Sequence, residues 1–394
     1  MTNPLKGIRV LELGQFIAGP YAGLQLADLG ATVIKVERPG KGDPFREFGL
    51  AAGEGYSHNF CAFNRNKLSL ALDINSPRGQ EAFRKLARGA DVVLENFRSG
   101  VMQQLGLGHE RLRADNPRLI YCSIAGFSAD GPYRDRPAYD AVGSAMSGLL
   151  GLMVDPADPR ILGPTISDQV SGMQACAGIL GALYERENSG KGARVEITMV
   201  EAAMALMPDS FTAYTQGATV LGPESRSAIS LSFAFACADA KLLAIHVSSM
   251  EKFWRALLAA IERPDIGADA RFADRPSRIR NYHSLVETLR PVFATKPRSH
   301  WLERLAANDV PSAPVHSIPE AMQEPEVVHL GLFHPLEHAR YGKRTVMRRA
   351  VRIDGERESY PLPPPALGEH TEQVLRDSGF TANEIAELRG AGVI

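Results

Sequence analysis

The chain has 394 residues, 44% of them hydrophobic and 23% charged, enough to bury more than one core. A formal net charge of −1 leaves no bulk field to collect nucleic acid or anionic lipid. No stretch approaches roughly 18 consecutive apolar residues, so a membrane span is not expected.

The first half of the chain alternates between two periods. GIRVLEL (7–13), TVIKVE (32–37), LSLALDI (68–74), DVVLENF (91–97), LIYCSIAGF (119–127) and ARVEITM (193–199) read as strands. Most are near-continuously apolar, as strands of a parallel sheet covered on both faces must be. Between them, 20–30, 77–89 and 168–187 carry helical patterns. Ser76-Pro77 fits an N-cap followed by proline at the first helical position. Alternating β and α units predict an open, Rossmann-like, doubly wound α/β domain. After about residue 200 the pattern changes. The sequence predicts a helix over 201–217, a loop over 222–230, a hairpin over 233–247 and helices through about 308. The proline-marked stretch 310–322 reads as a return crossing, and 361–375 ends in a short helix. The expected division is a large domain of 1–200 completed by 330–394, with 201–329 forming a smaller α+β domain.

The four cysteines (Cys61, Cys122, Cys176, Cys237) lie far apart without a CxxC pair, which argues against a zinc site or disulfide framework. No metal and no permanently bound cofactor is expected. MTNPLKGIRVLELG lacks the charged-then-apolar order of a signal peptide, so a cytoplasmic location is expected.

The first β–α turn, LELGQFIAGPYAG, does not carry the GxGxxG spacing of a dinucleotide site, which makes a nicotinamide oxidoreductase a poor fit. Arg38 nevertheless ends the second strand, where α/β sheets bind ligands. It reads either as a purine- and phosphate-binding guanidinium or as a solvated arginine. Arg65 and Lys67 stay open in the same way, between phosphate contacts and a solvated turn. Asp168 is the one acid at the mouth of an apolar, small-residue-rich helix. It reads as an N-cap or as a nucleophile that needs no general base, and the two roles are compatible.

Several unusual segments together resemble the family III CoA-transferases (the CaiB/BaiF family). They are LGQFIAGPYAGLQLADLGATVIKVERPGKGDPFR, NRNKLSLALDI, DVVLENFRSG, YCSIAGFSADGPYRDRPAYDAVGSAMSG, SDQVSGMQACAGILGALYERENSGKGARVEI and PALGEHTEQVL, and they span essentially the whole chain. The resemblance implies CoA transfer from an acyl-CoA donor, such as succinyl-CoA or another short acyl-CoA, to a small organic acid. The transfer would run through an aspartyl anhydride and an aspartyl-CoA thioester at Asp168. It places Gln15 as a substrate-orienting or oxyanion-stabilising side chain, and Arg38 beside the CoA adenine and 3′-phosphate. Asn96, Phe97 and Leu72 fall on positions lining the CoA path. It further implies an interlocked homodimer whose partners are acyl-CoA, a small carboxylic acid and a second copy of the chain.

Tyr139 stands where racemases of the same superfamily have a histidine, and a phenol of pKa near 10 is a poor base at neutral pH. An acyl-CoA racemase or isomerase is therefore the alternative and transfer the main reading. The chain also departs from the family. Gln104 and Pro137 stand where a formyl-CoA branch has basic CoA contacts, with Arg98 and Arg136 as neighbouring replacements. The second domain lacks a glycine run, so no lid is expected from it. Arg226 is either an anchor for the acceptor carboxylate or an exposed loop arginine.

Overall fold

The computed structural model describes residues 3–49, 56–248, 251–357 and 362–394. The chain divides into two compact units. One comprises Met1–Leu150, Ile161–Pro208 and Gly331–Ile394; the other comprises Gly151–Arg160 and Asp209–Leu330.

The first unit is built on a six-stranded sheet: β1 (Arg9–Glu12), β2 (Thr32–Glu37), β3 (Lys67–Ala71), β4 (Val92–Glu95), β5 (Ile120–Ala125) and β6 (Arg194–Thr198). The strands run in the order β3-β2-β1-β4-β5-β6 and every pairing is parallel. Side chains alternate between two cores, as a strand's period of two requires. Val10, Val33, Val92, Leu94 and Ile120 pack with the Ala18–Asp28 and Ile166–Ser189 helices on one face. Leu11, Ile34, Leu70 and Val93 pack with Phe83, Leu86, Leu375 and Leu388 on the other. Burial on both faces is what the apolar strand sequences predict. Ser76 caps the Pro77–Arg88 helix through the Gly79 N–H at 3.0 Å.

The chain's return supplies the outer edge of this unit. The His370 N–H donates to the Ser69 carbonyl (3.0 Å), and the Ala71 N–H donates to Thr371 Oγ1 (2.9 Å). The exposed rim of β3 is thereby closed, which a parallel edge strand needs. An antiparallel hairpin, β10 (Phe333–His338) and β11 (Gly342–Met347), precedes that segment.

The second unit carries an antiparallel sheet of β7 (Ser232–Ala236), β8 (Leu242–His246) and β9 (Ser312–Pro314). Its core gathers Phe233, Phe235, Trp254, Leu257, Leu289, Phe293 and Trp301. Phe235 stacks on Phe293 with ring centroids 4.7 Å apart.

Two local expectations are corrected. The helix expected over 201–217 is two, Met199–Ala205 and Pro208–Gly217. Pro208 has no N–H to continue the first, so it opens the second. The expected loop 222–230 contains the Ser225–Ser230 helix, tied down by Ala228 against the second core. Arg226 lies exposed on that helix.

Candidate active site

Chain order in the large sheet reverses between β1 and β4, and doubly wound sheets bind ligands outside the carboxyl ends of strands at such a switch point. The loops following β1, β4 and β5 surround a cavity of about 220 Å³ there. Gln15, Asn96, Phe97, Arg98, Arg136, Tyr139 and Asp168 all line it. Seven residues spread over 154 positions of sequence thus converge on one space.

Asp168 sits in the first turn of the Ile166–Ser189 helix, three positions past the Thr165 N-cap. The N-cap reading is therefore corrected: the helix begins two residues earlier than Asp168, directly after Pro164-Thr165. First-turn N–H groups have no partner inside a helix. That of Asp168 donates to Asp140 Oδ1 at 3.2 Å, across from the start of the Asp140–Met146 helix. Burial, and secondarily the Asp140 charge, push the Asp168 carboxyl from its ordinary 3.8 up to about 7. A helix N-terminus favours the charged form by only about 0.3–1 kcal/mol, so burial wins. The expected fully ionised aspartate is thus one that loses its proton near neutrality.

Gln15 is held through its backbone. Its N–H donates to Asn96 Oδ1 (2.8 Å), and Asn96 Nδ2 donates back to its carbonyl (2.9 Å). Asn96 lines the cavity, and its amide gives one donor and one acceptor to this pairing. The next residue, Phe16, has a left-handed backbone at φ 59° and sets its ring edge-on against Tyr139, centroids 5.8 Å apart. Tyr139 is 63% exposed and precedes the Asp140–Met146 helix.

Three guanidinium groups, Arg98, Arg134 and Arg136, line the same cavity. Arg136 lies over the Tyr133 ring at 4.1 Å, and Arg134 pairs with Asp135 at 3.3 Å. Arg38 is placed elsewhere. It is exposed at the carboxyl end of β2, and Pro39, Gly40 and Lys41 after it line a second hollow of about 640 Å³ with Ala71, Arg340, Thr371 and Arg389. The Leu72 side chain is 1% exposed within the core, so a place on the CoA path would fall to its backbone. Arg65 and Lys67 are neither surface nor phosphate-facing. Arg65 is buried against Asp28, and Lys67 Nζ meets Glu12 Oε2 at 2.7 Å.

Sequence reasoning passed over Phe16, Asp43 and Arg134, and gave Asp140 no role. A signal existed for Phe16 alone, since its ring stands beside Gln15 in the first β–α turn. Asp43 and Asp140 act through backbone N–H groups brought near only by the fold. Among the described residues, no group of three or more His, Cys, Asp or Glu is arranged to hold a metal, and no helix is long and apolar enough to cross a membrane.

Comparison with known proteins places this geometry. The profile of CoA-transferase family III matches residues 5–371. The chain is 34% identical to succinyl-CoA:glutarate CoA-transferase of Mus musculus over 397 aligned residues, covering 100% of this chain and 90% of that protein. It is 32% identical to succinyl-CoA–D-citramalate CoA-transferase of Chloroflexus aurantiacus, covering 100% and 98%. The crystal structure of a CaiB/BaiF family protein from Brucella suis superposes with a TM-score of 0.85 at 28% identity, covering 96% of this chain and all of the other. A match of sequence and fold over this whole length means that the chain belongs to CoA-transferase family III.

Proposed function

We propose that the enzyme moves CoA from a short acyl-CoA such as succinyl-CoA to a small dicarboxylic acid, using Asp168 as a covalent way station. The carrying observation is Asp168 itself, a partly buried carboxyl opening on the switch-point cavity together with Gln15 and Tyr139. Ionised Asp168 attacks the donor carbonyl and expels CoA thiolate, leaving an acyl-aspartyl anhydride. The thiolate then attacks the aspartyl carbonyl, releasing the donor acid and leaving an aspartyl-CoA thioester. The acceptor carboxylate attacks that thioester and again expels thiolate. The thiolate finally takes the acceptor's acyl group from the second anhydride and frees Asp168. No proton need be shuttled, which suits a cavity with a phenol and, among the described residues lining it, no histidine. The Gln15 carboxamide is the neutral donor available to each developing oxyanion.

A dicarboxylic acceptor is supported by the acids the relatives are named for, glutarate and D-citramalate, and by Arg98, Arg134 and Arg136, which offer the second carboxylate a partner. The cavity is smaller than the roughly 300–1,000 Å³ that drug-sized ligands occupy, so it suits the acyl and thiol end of CoA. The basic hollow beside Arg38 then takes the nucleotide end, and Asn96 and Phe97, which line the smaller cavity, belong to the CoA path on this reading. The family resemblance also supports an interlocked homodimer. Met173 and Tyr184 stand 51% and 76% exposed on the Ile166–Ser189 helix, apolar surface that a partner would cover. Light scattering at twice the chain mass would agree with this. Four unpaired cysteines fit a reducing cytoplasm.

The test is chemical. After exposure to succinyl-CoA, the peptide carrying Asp168 should show a CoA adduct by mass spectrometry and a hydroxamate after hydroxylamine. Asp168→Ala should show neither and transfer no CoA. Unmodified Asp168 during active turnover would overturn the mechanism.

A further inference from the structure

Gly14, Gln15 and Phe16 carry the chain from β1 into the Ala18–Asp28 helix, and side chains that are buried (Lys35, Asp43) or half-buried (Asn96) bond the backbone at each of the three. Lys35 Nζ donates to the Gly14 carbonyl at 2.7 Å. Asn96 bonds both the N–H and the carbonyl of Gln15. The Phe16 N–H donates to Asp43 Oδ1 at 3.2 Å, at the residue whose φ is positive. Asp43 is fixed in turn by Lys35 at 2.9 Å, and its own N–H donates to Glu37 Oε1 at 3.0 Å. Glu37 is gripped by Arg46 at 2.7 Å and by Ser69 Oγ at 2.7 Å.

A left-handed, non-glycine residue persists only where its surroundings over-determine it. These contacts are such surroundings. Gly19 completes them: a Cβ there would lie 2.9 Å from Gly14 Cα and 3.1 Å from Asn96 Cγ, so glycine lets the helix start close over the turn and the amide. Asn96 follows β4 and reaches across the switch point to β1, spanning 81 residues of sequence. Its two bonds, one to the Gly14–Gln15 peptide and one to the Gln15–Phe16 peptide, fix the planes on both sides of the Gln15 Cα. The Gln15 side chain leaves from that Cα, and Gln15 and Asp168 line the same cavity.

We propose that Asn96 is a positioning residue for the transfer reaction: its side-chain amide presets the Gln15 carboxamide at the oxyanion position. The assignment rests on the reading that Gln15 assists acyl transfer at Asp168, and it gives the Asn96 amide a role beyond lining the CoA path. A donor aimed before charge develops has no reorganisation left to do when the oxyanion forms. A donor loosened by even a small displacement loses much of its effect.

The experiment is a double-mutant cycle on the full-length enzyme. Asn96→Asp keeps an acceptor toward the Gln15 N–H but sets an oxygen against the Gln15 carbonyl. Asn96→Ser, a neutral replacement, removes both bonds. Each is combined with Gln15→Ala, and kcat and KM for succinyl-CoA are measured alongside formation of the Asp168 adduct. Expected is a fall in kcat of about tenfold or more, with KM changed less than about twofold. In the Gln15→Ala background the same replacements should change kcat by less than about twofold, because the group they position is gone.

A raised KM at unchanged kcat would make Asn96 act on CoA binding alone and overturn the proposal. So would full multiplication of the two effects, a Gln15→Ala enzyme as fast as wild type, or failure of both Asn96 variants to fold, which would make the residue structural. The two readings fail separately. Absence of any adduct on wild-type Asp168 sinks the covalent mechanism, whereas an adduct with additive variants sinks only the role of Asn96.

Discussion

At the level of single residues, the proposed nucleophile ties rate and stability to one protonation, in opposite directions. If Asp168 attacks the thioester, only its carboxylate can do so, and with its pKa pushed up to about 7 activity should rise with pH through neutrality. Asp140→Asn keeps an oxygen to accept the Asp168 N–H and removes the neighbouring charge. The acid limb of the kcat profile should then move down by about half a unit to one unit, not to the ordinary range, because burial remains the larger cause. An unmoved limb would show that the two carboxyl groups do not sense each other. Stability runs the other way. The folded pKa lies above the unfolded one, so between about pH 4 and pH 7 the native state holds a proton that the unfolded chain has lost. Native stability therefore falls across that window as pH rises. Asp168→Asn should be more stable than wild type above neutrality by on the order of 2 kcal/mol, and equal to it near pH 4, as read by urea unfolding at both values. A variant no more stable at alkaline pH would mean that the carboxylate is well solvated.

Among the helices, the Ile166–Ser189 helix must hold Asp168 at a fixed depth, and Gly172, one turn later on the same face, sets that depth. A Cβ at Gly172 would lie 2.7 Å from the Ala18 carbonyl oxygen and 3.1 Å from Tyr21 Cβ. Backbone cannot give way as a side-chain tip can, so Gly172→Ala should prise the two helices apart. The expected cost is about 1–3 kcal/mol, and kcat should fall with it because Asp168 moves too. Gly181, on an exposed part of the same helix with open space around it, provides the contrast. Gly181→Ala should gain about 0.5–1 kcal/mol from helix propensity and leave kcat alone. Equal effects on thermal unfolding at the two positions would remove the packing argument. Much of this was legible in the sequence. Strands buried on both faces leave continuous apolar runs, and the Ser76-Pro77 start signal acts within one turn. The site was legible only in part. Leu72 could have been placed in the core, since it lies two residues from Leu70 and period two puts both on one face. Asn96 could not have been tied to Gln15, because a contact across 81 residues exists only after the sheet has formed. Nor could Glu12, Lys35 and Lys67 be read as one buried network, since each looks like a lone charge, on three different strands.

For the molecule as a whole, the first unit depends on chain that arrives last. Val374, Leu375, Phe380, Ile385, Leu388 and Val393 belong to the same core as β1 and β3, which are laid down three hundred residues earlier. The same segment supplies the partners for the β3 edge and contributes Gly368, Thr371 and Arg389 to the hollow beside Arg38. A chain ending at residue 362 would lose all three at once. Its β3 would present unpaired N–H and C=O groups beside exposed apolar side chains, a surface prone to edge-to-edge association. Such a truncation should therefore yield aggregated protein without transferase activity, and not a weaker folded enzyme. The milder replacement Leu375→Ala, at a fully buried position, should fold and lose about 2–5 kcal/mol in urea unfolding, with kcat little changed at temperatures where it remains native. A truncated chain that is monodisperse and transfers CoA at the wild-type rate would show that the sheet and the first helices are sufficient. The tail would then be an accessory to the fold instead of one of its faces.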